Sequence, residues 1–591
     1  MQSVLDSRSL LISTAVGLIT FQSSPALSES DLFIAYPPDN HQTQSETIFF
    51  IGSASNDTEV YINNTLVERS KSGHFAPVFP LKIGENQFRI RSEDKTIQLT
   101  INRRENLQPA PSDLGFIADS LSPARDLSLL PSENVCFKAI ATPGSQVSVE
   151  LAGQSIPLFS QQQPVSLPAN NAVLTENNDP ITTDNPGKYE GCATFEQTGE
   201  LGKPRYVANL GGKQVKQDAN GTIQVLNPDQ LKTIEVIAQA GVARTGPGTH
   251  YSRLTPLPQR TRATVVGRDG EWLKLGYGGW IKEKETRTFS GYTPSHSFIR
   301  SVNYRQKSNE TEIIFPLEVP VPVTIIQNPK HFRLILHNVT AQTDTIRLDD
   351  DPVIQILNWQ QTQPQQVTYN FFLKSEQQWG YDLKYEDSRL ILTLRHPPKM
   401  TGKSLQGKTI LIDPGHGGAE LGARGPNGIP EKTINLIISR LLTQELRQRG
   451  AVVHLTREGD EAVSLQERAA LIQQLKPTIA LSIHYNALPD SGDPIKTKGV
   501  STFWYHPQAH NLAIFLQDYL VKNLNRESAG VFWNNLALTR PHIAPSVLLE
   551  LGFMINPDEF EWITNTQAQK KLASTLAEGI NAWFSSDPVQ K

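Results

Sequence analysis

Apolar and polar residues alternate with a period of two through most of the chain, and the period lengthens only towards its end. Over about 31–104, runs such as TIFFIGSA, EVYINN and NQFRIRS sit between Gly, Asn and Pro, which predicts a small β-sandwich. A second β module, with a polar, Pro-rich insertion, is expected over 112–226, where ATPGSQVSVELAG follows the strand NVCFKAIA. A compact β unit follows over 232–289, and TEIIFPLEV, FRLILHNV, VTYNFFL and LILTLRH predict a further β-sheet module over 296–397. PPKMTGKSLQGK then reads as a linker. From 405 to 587 strand and helix signals alternate, which indicates an α/β domain. KTILI is a buried-strand pattern, and between Pro430 and Arg449 the residues Ile434, Ile437, Ile438, Leu441, Leu442 and Leu446 share one helical face. Glu431 lies in the first turn of that helix and Gly450 just beyond its end. SLQE has the capping-box form and opens another helix after the strand AVVHLT. TIALSI, GVSTFWY and SVLLE supply further strands. The expected fold is multidomain: several small all-β modules, then a C-terminal α/β domain whose central, mostly parallel sheet is flanked by helices on both faces.

At 591 residues the chain exceeds what one hydrophobic core supports. Its 38% hydrophobic and 19% charged residues and net charge of -4 are those of a soluble globular protein, without the basic excess that attracts DNA or RNA. At the N-terminus Arg8 precedes an apolar run from Leu10 to Phe21, followed by small residues around Ala26 and Ser28. Residues 1–28 therefore read as a secretory signal peptide, since the run falls short of the roughly 20 residues a membrane-spanning helix needs. An uncleaved anchor is the competing reading, because Asp6 sits beside the single arginine. No later stretch is long and apolar enough to span, so an exported mature chain without a membrane span is expected. Cys136 and Cys192 lie in one module; a disulfide between them is compatible with export, and neither lies near a histidine that would suggest a thiolate metal site.

Three residues suited to chemistry each follow a buried-strand pattern: His416 after ILIDPG, His484 at the end of ALSI, and Glu550 at the end of VLL. In open α/β sheets the carboxyl ends of strands line the ligand crevice, so these distant positions can converge there, with Glu431 near the same edge. Two imidazoles and a carboxylate form a ligand set for catalytic zinc, leaving a further carboxylate as base. A lone histidine at a strand end is more often structural, and spacing alone does not settle the matter.

The segments LIDPGHGG, PEKTINL, LTREGD with SLQERA, LSIHYNA, GVSTFWY and VLLELGFMIN together make residues 408–584 resemble the zinc-dependent N-acetylmuramoyl-L-alanine amidases of the type 3 class. By this resemblance the zinc ligands are His416 in DPGHGG, Glu431 in PEK and His484 in SIHYN, and the catalytic glutamate is Glu550 in LELGF. It implies Zn²⁺ as cofactor, peptidoglycan as partner and substrate, and cleavage between the lactyl group of N-acetylmuramic acid and L-alanine. Periplasmic or cell-wall localisation follows. Tyr485 stands where relatives often have a small residue, which puts pocket shape in question. Asp413 is a candidate acceptor for His416 or a turn former, and Asn486, Arg457, Arg468 and His542 are candidates for touching substrate or orienting carboxylates. His454 is expected to pack, and His506 and His510 to lie on a solvated loop and helix face.

Upstream, GSASNDTEVYINN and GHFAPVFPLKIGEN resemble bacterial immunoglobulin-like modules, and VARTGPGTHYSRL with ATVVGRDGEWLKLGYGGWIK resembles a bacterial SH3-like domain. Such domains often bind peptidoglycan; Tyr251, Trp272 and Trp280 offer aromatic surface for it, or the two tryptophans form the core of a small barrel. The 296–397 module resembles the targeting modules of cell-wall amidases. GVSTFWYHPQAHNLAIFLQDYL passes almost directly into a helix, so no helical plug over the zinc is expected, and control would fall to the upstream modules or an unidentified regulatory partner. The alternative function is a non-catalytic peptidoglycan-binding protein, whose signature would be loss of Glu550 or of either histidine.

Overall fold

A computed structural model describes residues 32–104, 110–161, 165–175, 178–182, 187–289, 295–399 and 405–586. The expected signal segment at 1–28 and part of the linker before Leu405 lie outside the described residues. The architecture is the expected one, small β modules followed by an α/β domain.

The first module closes three small sheets over Phe50, Val60, Ile62, Phe75, Ile90 and Ile101, all buried. The next holds a six-stranded antiparallel sheet in which Cys136 and Cys192 face each other on paired strands and form a disulfide. The expected break between 226 and 232 is not a break in hydrogen bonding. Strand Arg262–Asp269 pairs at its start with Thr233–Val236 and at its end with Leu127–Leu129, so one sheet runs through both units. Trp272 is buried, Trp280 half-buried and Tyr251 exposed. The 296–397 region packs two four-stranded sheets around Ile313, Phe315, Leu334, Tyr369 and Leu392.

The C-terminal domain comprises β1 (Thr409–Pro414), α1 (Glu431–Gln448), β2 (Val452–Leu455), α2 (Leu465–Leu475), β3 (Ile479–Asn486), β4 (Val500–Trp504), α3 (Pro507–Leu524), β5 (Ser528–Trp533), β6 (Ser546–Phe553), α4 (Pro557–Thr564) and α5 (Thr566–Phe584). Its sheet has the order β2-β1-β3-β6-β4-β5, with every neighbouring pair parallel except β4 and β6. Side chains alternate between faces along each strand. Ile410 and Ile412, then Ile479, Leu481, Ile483 and Tyr485, then Val547, Leu549 and Leu551 enter the large core under α1, α3 and α5. Leu411 and Ala480 turn the other way and pack with Ile472 of α2. The apolar stripe of α1 is buried through Ile434, Ile438, Leu442 and Leu446, each contributing about 1.5–3 kcal/mol. Ser464 and Glu467 form the expected capping box on α2, worth about 1 kcal/mol.

Two upstream modules grip opposite edges of this sheet. At the edge where β3 and β6 begin, the Arg395 guanidinium donates to the carbonyls of Pro477 (2.7 Å), Ile543 (2.8 Å) and Lys476 (3.0 Å). Trp379 packs there on Trp583 and Phe584. At the edge where they end, Phe49 and Ile51 of the first module pack with Phe553 and Ile555, while Tyr36 and His41 bond the Asp490 carboxylate.

Candidate active site

β1 and β3 are neighbours in register, as are β3 and β6, so the residues at their carboxyl ends share one edge. His484 and Glu550 are cross-strand partners. Because Tyr485 and Leu549 face the large core, His484 and Glu550 face the opposite side. His416 follows β1 in a left-handed turn with φ of 59°, a conformation costing a non-glycine residue roughly 1–2 kcal/mol. The Arg468 guanidinium bonds its carbonyl oxygen at 2.6 Å, which fixes this turn.

Glu431, in the first turn of α1, is the hub. Its Oε2 lies 3.1 Å from His416 Nε2 and its Oε1 3.0 Å from His484 Nδ1. Backbone amides of Ala423 (2.9 Å, to Oε2) and Tyr485 (3.1 Å, to Oε1) and the Asn435 amide (3.0 Å, to Oε1) complete its shell. Burial raises the Glu431 carboxyl, but the hydrogen bonds and charge of the two imidazoles outweigh it and hold the group well below the usual carboxylate range. The bond to Glu431 in turn raises His416. Glu550 is the opposite case. Burial, reinforced by the Glu431 charge, pushes its carboxyl well above the usual range, and its buried Oε2 has no hydrogen-bond partner. One donor atom each from His416, Glu431 and His484 lies within 4.8 Å of the others, a grouping that could hold one metal ion. Two imidazoles and a carboxylate are a donor set that suits zinc.

Glycines make room for this convergence. A Cβ on Gly415 would come 2.1 Å from the His484 ring, and one on Gly422 would come 2.3 Å from Glu431 Oε2. Asp413 does not touch the His416 ring. Its buried carboxylate accepts from Arg468 Nη1, Thr456 Oγ1 and Ser482 Oγ, each at 2.5 Å. Arg457 bonds the carbonyls of Pro414 (2.9 Å), Gly415 (2.9 Å), Lys432 (2.8 Å) and Gly459 (2.7 Å), so it stitches the loop behind the site together. Asn486 caps β3, its side chain accepting from Ala487 N. Tyr485 is buried in the core and leaves the site's outline unaffected. His542 lies elsewhere: its loop precedes β6, so it sits at the opposite edge, stacked on Tyr381 with ring centroids 4.6 Å apart. His506 is likewise packed there rather than on a solvated loop, its Nε2 donating to the Arg540 carbonyl at 2.8 Å. Asn435, Gly415 and Gly422 went unnoticed in the sequence. Asn435 carried a signal, standing four residues after Glu431 and therefore on the same helical face.

The family model for N-acetylmuramoyl-L-alanine amidase, Amidase_3, matches residues 410–582. The Bacillus subtilis (strain 168) protein YqiI is 33% identical over 195 residues, which are 33% of this chain and 93% of YqiI. On these matches the chain belongs to that amidase family through its C-terminal domain. A probable cell wall amidase, LytH, from Staphylococcus epidermidis (strain ATCC 12228 / FDA PCI 1200) is 32% identical over 189 residues; the match spans 32% of this chain and 62% of LytH. The crystal structure of N-acetylmuramoyl-L-alanine amidase from Clostridium difficile 630 is 28% identical, covering 31% of this chain and 100% of that one with a TM-score of 0.29.

Proposed function

We propose that the protein hydrolyses the amide between the lactyl group of N-acetylmuramic acid and L-alanine of the peptidoglycan stem peptide, with zinc held by His416, Glu431 and His484 and with Glu550 as proton carrier. The observation that supports this best is the convergence of three donor atoms beside a buried carboxyl with one unpartnered oxygen. Zinc bound there supplies a Lewis acid that polarises the carbonyl and brings the pKa of water to about 7. Asn435 and two backbone amides keep the Glu431 carboxylate turned towards the two imidazoles. Glu550 accepts the proton of the attacking water and passes it to the departing amine, so the C–N bond breaks into a lactyl carboxylate and a free L-alanine amine. Its raised carboxyl favours holding that proton between the two transfers.

In this proposal the SH3-like unit at 232–289 and the module at 296–397 bring the enzyme to the wall, and the chain acts outside the cytoplasm after removal of residues 1–28. The test is dye release from labelled peptidoglycan by the full chain, with zinc, with chelator and as Glu550→Ala. Release that needs both zinc and Glu550, with product masses showing free muramic carboxylates, supports the reading. Zinc-loaded protein that binds sacculi without releasing dye would replace it with the binding-protein alternative.

A further inference from the structure

On the edge of the α/β sheet away from the His416 site lies a cavity of about 820 Å³, walled by the 232–289 unit, the 296–397 module and the C-terminal domain. Its size is that of a small-ligand site, which spans roughly 300–1,000 Å³. Three aromatic side chains line one side. Trp533 is 62% exposed and donates its indole N–H to the Tyr505 carbonyl at 3.0 Å, and its ring leans on the Tyr505 ring with centroids 5.2 Å apart. Trp504 lies against His510, ring centroids 4.2 Å apart. Two cations, Arg253 and Arg540, stand on the same wall system, and no aspartate or glutamate lines the cavity. Among the described residues the Arg540 guanidinium bonds only Asn535, through its side-chain oxygen at 2.7 Å and its carbonyl at 3.2 Å. Neither arginine has an ion-pair partner among the described residues. Burial, then the charge of Arg253, depresses the Arg540 guanidinium to about 10. Two neighbouring guanidiniums without a carboxylate are an anion site in search of its anion.

We propose that this cavity binds glycan strands already stripped of their peptides, with free lactyl carboxylates on Arg253 and Arg540 and sugar faces on Trp504 and Trp533. The inference rests on the amidase reading, because hydrolysis of that amide turns a neutral group on each muramic residue into a carboxylate. Intact strands carry no charge at that atom, so the cavity distinguishes product from substrate. Stripped strand held at this edge leaves the His416 edge free, which tethers the enzyme where it has already cut. The flat apolar faces of the sugars suit indole surfaces, and the arginines supply positive charge and N–H donors for the carboxylates.

The test is calorimetric titration of the full chain with a peptide-free N-acetylglucosamine–N-acetylmuramic acid tetrasaccharide bearing free carboxylates. Chitotetraose, which lacks carboxylates, the same muramyl tetrasaccharide with its stem peptides attached, and a free stem peptide are the comparison ligands. The stripped tetrasaccharide should bind at least about tenfold more tightly than any of them, and Arg253→Gln, Arg540→Gln and Trp533→Ala should each weaken it about tenfold at unchanged melting temperature. Trp533 is mostly exposed, so its variant keeps the test informative if an arginine variant folds poorly. Equal binding of chitotetraose, tighter binding of either peptide-bearing ligand, or undiminished binding by the Arg253→Gln and Trp533→Ala variants would each overturn the site. Binding is read without turnover: a chain that binds the stripped strand but releases no dye overturns the amidase reading alone, and one that releases dye without this preference overturns the cavity alone.

Discussion

Two pairs of histidines sit at opposite edges of one sheet, and their surroundings make them different chemical objects. His416 and His484 have ring centroids 4.9 Å apart with the Glu431 carboxylate reaching both. His506 and His542 lie 6.1 Å apart, with a backbone carbonyl and an aromatic ring as neighbours, Arg540 near His506 and the Asp382 charge near His542. Glu431 raises His416, whereas burial, helped by the charge of His542, drives His506 down to about 3, and burial lowers His542 as well. A carboxylate held between two imidazoles by three further hydrogen bonds can hold a cation. Where a carboxylate acts through its charge alone, as Asp382 does on His542, burial prevails and the same residue type becomes neutral packing.

The sharpest test of this contrast is at the reacting edge. Glu550→Ala should lower dye release by about 10²–10⁴-fold while metal analysis finds zinc retained, and His484→Ala should lose the zinc itself. His542→Ala should leave release within about twofold, since it touches no reacting group; a loss as large as that of Glu550→Ala would erase the distinction between the edges. Next in size is the support behind the site. Arg468→Ala strands the buried Asp413 carboxylate and removes the bond to the His416 carbonyl, and should cost about 3–5 kcal/mol in chemical denaturation. A variant as stable as the parent would show that Ser482 and Thr456 suffice for Asp413. Gly422→Ala should cost about 1–3 kcal/mol, because its φ of 69° and its approach to Glu431 both exclude a Cβ, and should weaken zinc retention at equilibrium dialysis.

Much of the reacting edge was legible in the sequence. Buried-strand runs ending in His484 and Glu550 place both residues at strand ends, and the helical stripe after Glu431 fixes that carboxylate in a first turn. The capping box at Ser464 was readable because both partners are local. Chain direction alone excludes His542 from the site, as a loop that enters β6 lies at the wrong end of a strand whose far half carries Glu550. What periodicity does not encode is which surfaces meet. Asp490 pairs with Tyr36 and His41 across about 450 positions, and the 127–129 strand pairs with one at 262–269. Each of those contacts depends on the shape of two finished modules rather than on a local pattern. Gly415 and Gly422 were hidden for a related reason: their role is an absent side chain where a distant ring or carboxylate passes.

The smallest effect separates the two histidine pairs by acid. His506 has a folded value near 3, against roughly 6.5 when the chain unfolds. Between those values the unfolded chain binds the extra proton, so stability is full above about pH 6.5 and falls as the pH drops towards 3. From pH 7 to pH 5 the expected loss from this residue is about 1–2 kcal/mol, read as a fall in denaturation midpoint that shrinks in His506→Phe. His416 must show the other sign, because its raised value means that protonation accompanies folding in metal-free protein. A parent and a His506→Phe variant losing the same stability over that interval would mean that the imidazole at this edge is already solvated, and that burial is the weaker half of the contrast.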